Sequence, residues 1–131
     1  MQIDIGDIIG FLESNSIVSQ LGTIEVDETA VRGVYKIRCN LIPSQYKLQI
    51  KWIDTPENFH YSYQLFAELL LLRWDNAPHF PNIETCPHHF HDKNGNVFES
   101  PILGEDIKGD LEMIFALISD FLMGDILGYI N

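Results

Sequence analysis

Four of the five histidines fall in one short stretch, Arg73 to Asp92, which reads RWDNAPHFPNIETCPHHFHD. Imidazole exchanges a proton near neutral pH, and in its neutral form it is a common metal ligand. His89 and His91 are two apart, so on a strand both project to one face while His88 projects to the other. With Asp75 and Arg73 nearby, this set suits either of two chemistries. In the first, His89 and His91 act as base and acid, Asp75 orients an imidazole and Arg73 holds an anion. In the second, His79, His89, His91 and Asp75 hold a divalent ion such as zinc. Cys86, in the spacing Cys86-x2-His89-x-His91, could supply a further zinc ligand, but no second cysteine is near and a lone cysteine usually behaves as a small hydrophobe.

The elements that must position these residues are legible from periodicity. Ile5, Ile8, Ile9 and Leu12 recur at helical spacing after the capping residue Asp4, giving a helix to about Glu13. Alternation then predicts strands over Ile24–Asp27, Tyr35–Leu41, Tyr46–Ile53 and Phe59–Leu65, with Leu69–Trp74 read as a central strand. Pro78, Pro81 and Pro87 impose an irregular loop. Beyond it, His88–His91 and Val97–Glu99 flank Asn94-Gly95, a strong hairpin signal. An apolar stripe of Ile107, Leu111, Ile114, Phe115, Ile118, Phe121 and Leu122 closes the pattern as a helix ending at Gly124. Short connections make consecutive strands antiparallel neighbours. The expected class is α+β: a single antiparallel, meander-like sheet of five or more strands, packed on one face by an N-terminal and a C-terminal helix. One domain over residues 1–131 is expected from the length and the lack of a linker.

Composition narrows the function classes. The net charge of −11 disfavours a nonspecific duplex-DNA binder, because phosphate affinity comes from Lys and Arg. Yet Val31–Ile53 contains Arg32, Lys36, Arg38, Lys47 and Lys51 and no acid, so it carries +5. A hairpin turning near Ala30 would set Glu25 and Asp27 opposite Arg38 and Lys36, leaving Lys47 and Lys51 without an obvious partner. No apolar run is long enough for a membrane span and no signal peptide is evident, so a cytoplasmic protein is expected. Two cysteines do not make a disulfide framework.

Three segments together carry a family resemblance: Tyr61-Ser62-Tyr63-Gln64, then Arg73-Trp74-Asp75-Asn76-Ala77-Pro78-His79, then Pro87-His88-His89-Phe90-His91. In that order and spacing they resemble the TumE family, the toxin half of prokaryotic TumA/TumE toxin–antitoxin modules. The resemblance implies a small cytoplasmic toxin with a cognate antitoxin of helix-turn-helix type. Many relatives have an aromatic at the position of Cys86 and a charged residue at that of Phe90. Small toxins most often act on RNA, so His89, His91, Asp75 and Arg73 are the expected catalytic set. Asn76, Tyr61, Tyr63, Lys47 and Lys51 are the expected substrate contacts, the tyrosines as stacking faces for unpaired bases. Two other classes compete: a docking module whose histidines are structural, and a metal-dependent hydrolase. Ile126, Leu127, Tyr129 and Ile130 form an apolar tail suited to a homodimer or partner groove, or to folding back on its own domain.

Overall fold

The alternating runs fold as strands because each can bury every second side chain against a helical stripe. The computed structural model describes residues 3–126. Helix α1 spans Ile5–Glu13, and the side chain of Asp4 accepts a hydrogen bond from Asp7 N, which caps its first turn. Seven strands follow: β1 Val18–Glu28, β2 Gly33–Leu41, β3 Lys47–Asp54, β4 Phe59–Phe66, β5 Leu70–Asp75, β6 His89–His91 and β7 Val97–Glu99. Helix α2, Ile107–Ile126, closes the described chain. The strands lie in sequence order in one sheet, every neighbouring pair antiparallel. The expected α+β meander is therefore present, each of its seven strands overlapping one of the expected runs.

Both helices pack on one face of the sheet. Ile37, Cys39, Leu48, Ile50, Trp52, Tyr63, Leu65 and Trp74 point into that layer, where they meet Ile8 and Leu12 of α1 and Leu111, Ile114 and Ile118 of α2. Burying Phe115 and Ile118 stabilises the fold by roughly 1.5–3 kcal/mol each. Phe121, expected to be equally buried, is only partly so. Lys108 of α2 reaches Asp7 of α1 at 2.5 Å, an exposed pair of small energetic weight that nonetheless joins the two helices.

Two of these expectations change. Helix α2 passes through Gly124, which has no positive φ, so this glycine does not cap it. Leu127, Tyr129 and Ile130 of the apolar tail lie outside the described residues. Leu70–Leu72 of the apolar run lie in β5, a central strand as expected, paired with β4 and β6; Leu72 is buried and Leu70 exposed, because the helices cover only one face. Finally, the β1–β2 register sets Glu25 opposite Lys36 and Asp27 opposite Val34, two residues from the expected pairing. The strand irregularity between Leu21 and Ile24 leaves Arg38 without either acid as its partner.

Two glycines carry turns at positive φ. Gly95 (82°) completes the β6–β7 hairpin, where Asp92 Oδ1 accepts from Asn94 N and Asn96 N. Gly104 (70°) precedes α2, and a Cβ there would lie 3.0 Å from the Tyr61 ring. Gly104→Ala is expected to lower stability by about 1–3 kcal/mol through backbone strain and the ring contact. Chemical denaturation would check this, and a change below about 0.5 kcal/mol would contradict it.

Candidate functional site

The site is built by two adjacent strands. In the β5–β6 register Arg73 lies opposite His91 and Asp75 opposite His89, while Trp74 and Phe90 turn to the helix side. Strand alternation therefore brings Arg73, Asp75, His89 and His91 together on the face away from both helices.

Asp75 is the hub. Its carboxylate is 4% exposed; Oδ2 accepts from Arg73 Nε at 2.6 Å, and Oδ1 accepts from Ala77 N at 2.9 Å. Oδ1 also faces His89 Nε2 at 3.0 Å. The other His89 nitrogen, Nδ1, is 2.9 Å from the Pro87 carbonyl oxygen. A carbonyl only accepts, so Nδ1 carries a hydrogen. Nε2 then meets a carboxylate oxygen, and that contact is attractive only with a proton or another cation between them. His89 is 1% exposed and both its nitrogens are directed at protein oxygens. Its geometry suits holding Asp75 and the neighbouring ring in place.

His91 is the outward imidazole. Its Nε2 stands 3.9 Å from Asp75 Oδ2, too long for a hydrogen bond, and its side chain is 25% exposed. Burial pulls its pKa below the ordinary imidazole value, neighbouring His89 and Arg73 act in the same sense, and Asp75 opposes them. Phe80 stands edge-on to both rings, its centroid 4.8 Å from that of His89 and 5.7 Å from that of His91. Nothing in the Pro78-His79-Phe80-Pro81 sequence marked this phenylalanine as a wall of the site. The Arg73 side chain is 37% exposed, so part of it faces solvent beside His91.

Other expected site residues are placed elsewhere. Tyr61 and Tyr63 are buried on the helix side, where Tyr63 Oη accepts from Trp52 Nε1 at 2.8 Å, so neither presents a stacking face to solvent. This corrects the stacking expectation; these rings complete the core. Asn76 is spent on the backbone: Oδ1 accepts from Tyr61 N and Nδ2 donates to Phe59 O, fastening the end of β5 to β4. His88 precedes β6 and stacks on Tyr61, with Nδ1 2.8 Å from its hydroxyl. Lys47 does have a partner, donating to Asn40 Oδ1 at 3.1 Å, while Lys51 is exposed.

The donor atoms of Asp75, His89 and His91 lie within 4.8 Å of one another, and among the described residues they form a group that could hold a metal ion. The His89 Nδ1 to carbonyl contact is the outer support usual for a metal-bound imidazole. Against this, Arg73 already occupies Asp75 Oδ2 and would place a positive charge beside the ion. The exposed His79 and Cys86 do not belong to the group.

The fold is that of a small α+β protein: an antiparallel sheet backed by two helices, with a His–Asp–His–Arg group on the sheet face away from them. The chain belongs to the TumE toxin family: the family described as Toxin TumE matches residues 8–122, which include every residue of this group. No curated protein and no solved structure matches it. Among the described residues no helix is long and apolar enough to cross a membrane.

Proposed function

We propose that this TumE-family chain is a toxin that cleaves RNA by 2′-hydroxyl attack, with His91 as general base. The observation that carries the reading is the meeting, on the sheet face away from the helices, of a partly exposed imidazole and a partly exposed guanidinium around one buried, fixed carboxylate. His91 takes the proton of the 2′-hydroxyl as the 2′-oxygen bonds to phosphorus. The bond from phosphorus to the 5′-oxygen breaks, and that oxygen takes a proton from water. The products are a 2′,3′-cyclic phosphate and a 5′-hydroxyl. Arg73 stabilises the charge that builds on the phosphoryl oxygens. Asp75 and His89 position Arg73 and His91 without touching substrate.

The partner in this reading is a cognate antitoxin, of the helix-turn-helix type that the resemblance implies. A second reading, metal-dependent hydrolysis, is favoured by the Asp75–His89–His91 donor set. One assay separates the two. Purified protein is incubated with an unstructured RNA oligonucleotide, with and without EDTA, and the ends are analysed by mass spectrometry. Cyclic-phosphate ends that persist in EDTA, and that vanish when the scissile nucleotide is 2′-deoxy, are expected. Loss of cleavage in EDTA with stoichiometric metal in the untreated protein would move the function to the second reading. In cells lacking the antitoxin, equal growth arrest by wild type and soluble His91→Ala would move it to partner docking.

A further inference from the structure

The register does more than assemble the His–Asp group. It aligns Arg38, Gln49, Gln64, Arg73 and His91 in one transverse line across β2 to β6, each directly opposite the next. A second line, Lys36, Lys51, Ser62, Asp75 and His89, runs beside it. Five strands at about 4.7–4.9 Å spacing make a tract of about 19 Å. Over β2 to β5 the open face carries five cations, Lys36, Arg38, Lys47, Lys51 and Arg73, and a single carboxylate, Asp75. That carboxylate is already paired with Arg73. In a chain of net charge −11 this is a local reversal of sign.

We infer that this tract is the binding track for a single-stranded RNA, which it leads to Arg73 and His91. The inference rests on the proposed cleavage and adds the substrate's form and path. Three features favour a single strand. The cations are spread over four strands, so they can meet more than one backbone phosphate, and the two glutamines between Arg38 and Arg73, beyond the bonds Gln49 Oε1 makes to Arg38 and Gln64 Nε2 to Ser62, keep amide donors and acceptors for exposed base edges. Arg38 is held by Gln49 Oε1 at 2.6 Å and lies 5.0 Å over the Phe66 ring, so its planar charge is fixed on the surface. A duplex hides its base edges and holds its 2′-oxygens out of line with the scissile bond, so only a single strand could use both the amides and the His91 end. Lys36 is weakly engaged, 3.9 Å from Glu25 with both side chains well exposed, and Lys51 is exposed.

The test uses a fluorescein-labelled 12-nucleotide RNA, 2′-O-methylated throughout so that it cannot be cleaved, in anisotropy titrations of the full chain at several salt concentrations. The single strand is expected to bind at least tenfold more tightly than the matching duplex. Lys51→Ala and Arg38→Gln should each weaken binding roughly fivefold at low salt, about one screened charge contact. Each should reduce the slope of log affinity against log salt by about 0.7, the value for one phosphate on a single strand. Lys93→Ala, in the β6–β7 turn, should change neither. Circular dichroism confirms that each variant is folded. No binding by wild type at low salt, equal binding of duplex, or indifference to Lys51→Ala and Arg38→Gln would overturn the inference. So would equally tight binding of a polyglutamate peptide of the same charge, which would assign the tract to an acidic protein segment. Because the probe cannot react, tract-dependent binding without cleavage of ordinary RNA would sink the nuclease reading alone.

Discussion

His91→Ala is expected to lower RNA cleavage by 10²-fold or more, the ordinary contribution of a general base, while leaving the fold almost unchanged. The ring is partly exposed and its closest polar neighbour, Asp75 Oδ2, is 3.9 Å away, so its removal breaks no buried hydrogen bond. Stability should shift by less than about 1 kcal/mol. The pH dependence has a definite sign. Burial, aided by His89 and Arg73, lowers the His91 pKa, so the neutral base persists to lower pH than a free imidazole would allow. The rising limb of cleavage against pH should therefore lie below 6.5, the ordinary value. Single-turnover rates across pH 4.5 to 8 would measure it. A limb above 6.5, or a His91→Ala rate within threefold of wild type, would remove His91 from the role of base.

Much of this was legible in the sequence, and what was not has physical causes. The strands β2, β3 and β4 announce themselves because one face is dry and the other wet, so alternation follows burial closely. The same logic put His89 and His91 on one face. It could not tell which would be buried. That depends on the residue 76–88 loop, whose Phe80 packs against both rings and whose Pro87 carbonyl takes the His89 Nδ1 hydrogen. Alternation gives two faces without labelling them, so the sequence of β4 alone is as compatible with Tyr61 and Tyr63 on the surface as with their buried positions. Only the register against Trp52 and Trp74 shows that they belong with the core. The line from Arg38 to His91 was likewise hidden, since it is a property of five paired strands and of no single segment. Its pieces sat in plain sight as the outward residues of each alternating run.

The largest stability effect should come from the carboxylate. Asp75→Ala leaves the Arg73 guanidinium and the buried His89 facing one another across the space the carboxylate filled, and also strips Ala77 N of its acceptor. Removing one member of a buried ion pair costs about 3–5 kcal/mol. Because the Arg73 side chain is over a third exposed, water can recover part of that loss, and about 2–4 kcal/mol is expected. His89→Ala should also destabilise, by about 1–3 kcal/mol, since it removes a fully buried ring and leaves Asp75 Oδ1 with one partner fewer. Equilibrium urea unfolding of the two single variants and the double variant gives the coupling between them, expected to exceed about 0.5 kcal/mol for groups in direct contact. The order Asp75→Ala, His89→Ala, His91→Ala in falling stability cost separates the positioning pair from the base. In folded protein at low temperature, His89→Ala should retain more cleavage than His91→Ala, because a ring that never reaches substrate can be lost without losing the proton transfer itself. If His89→Ala were instead as stable as wild type and as inactive as His91→Ala, His89 would be a reacting group, and the buried pair would have to open for substrate to reach it.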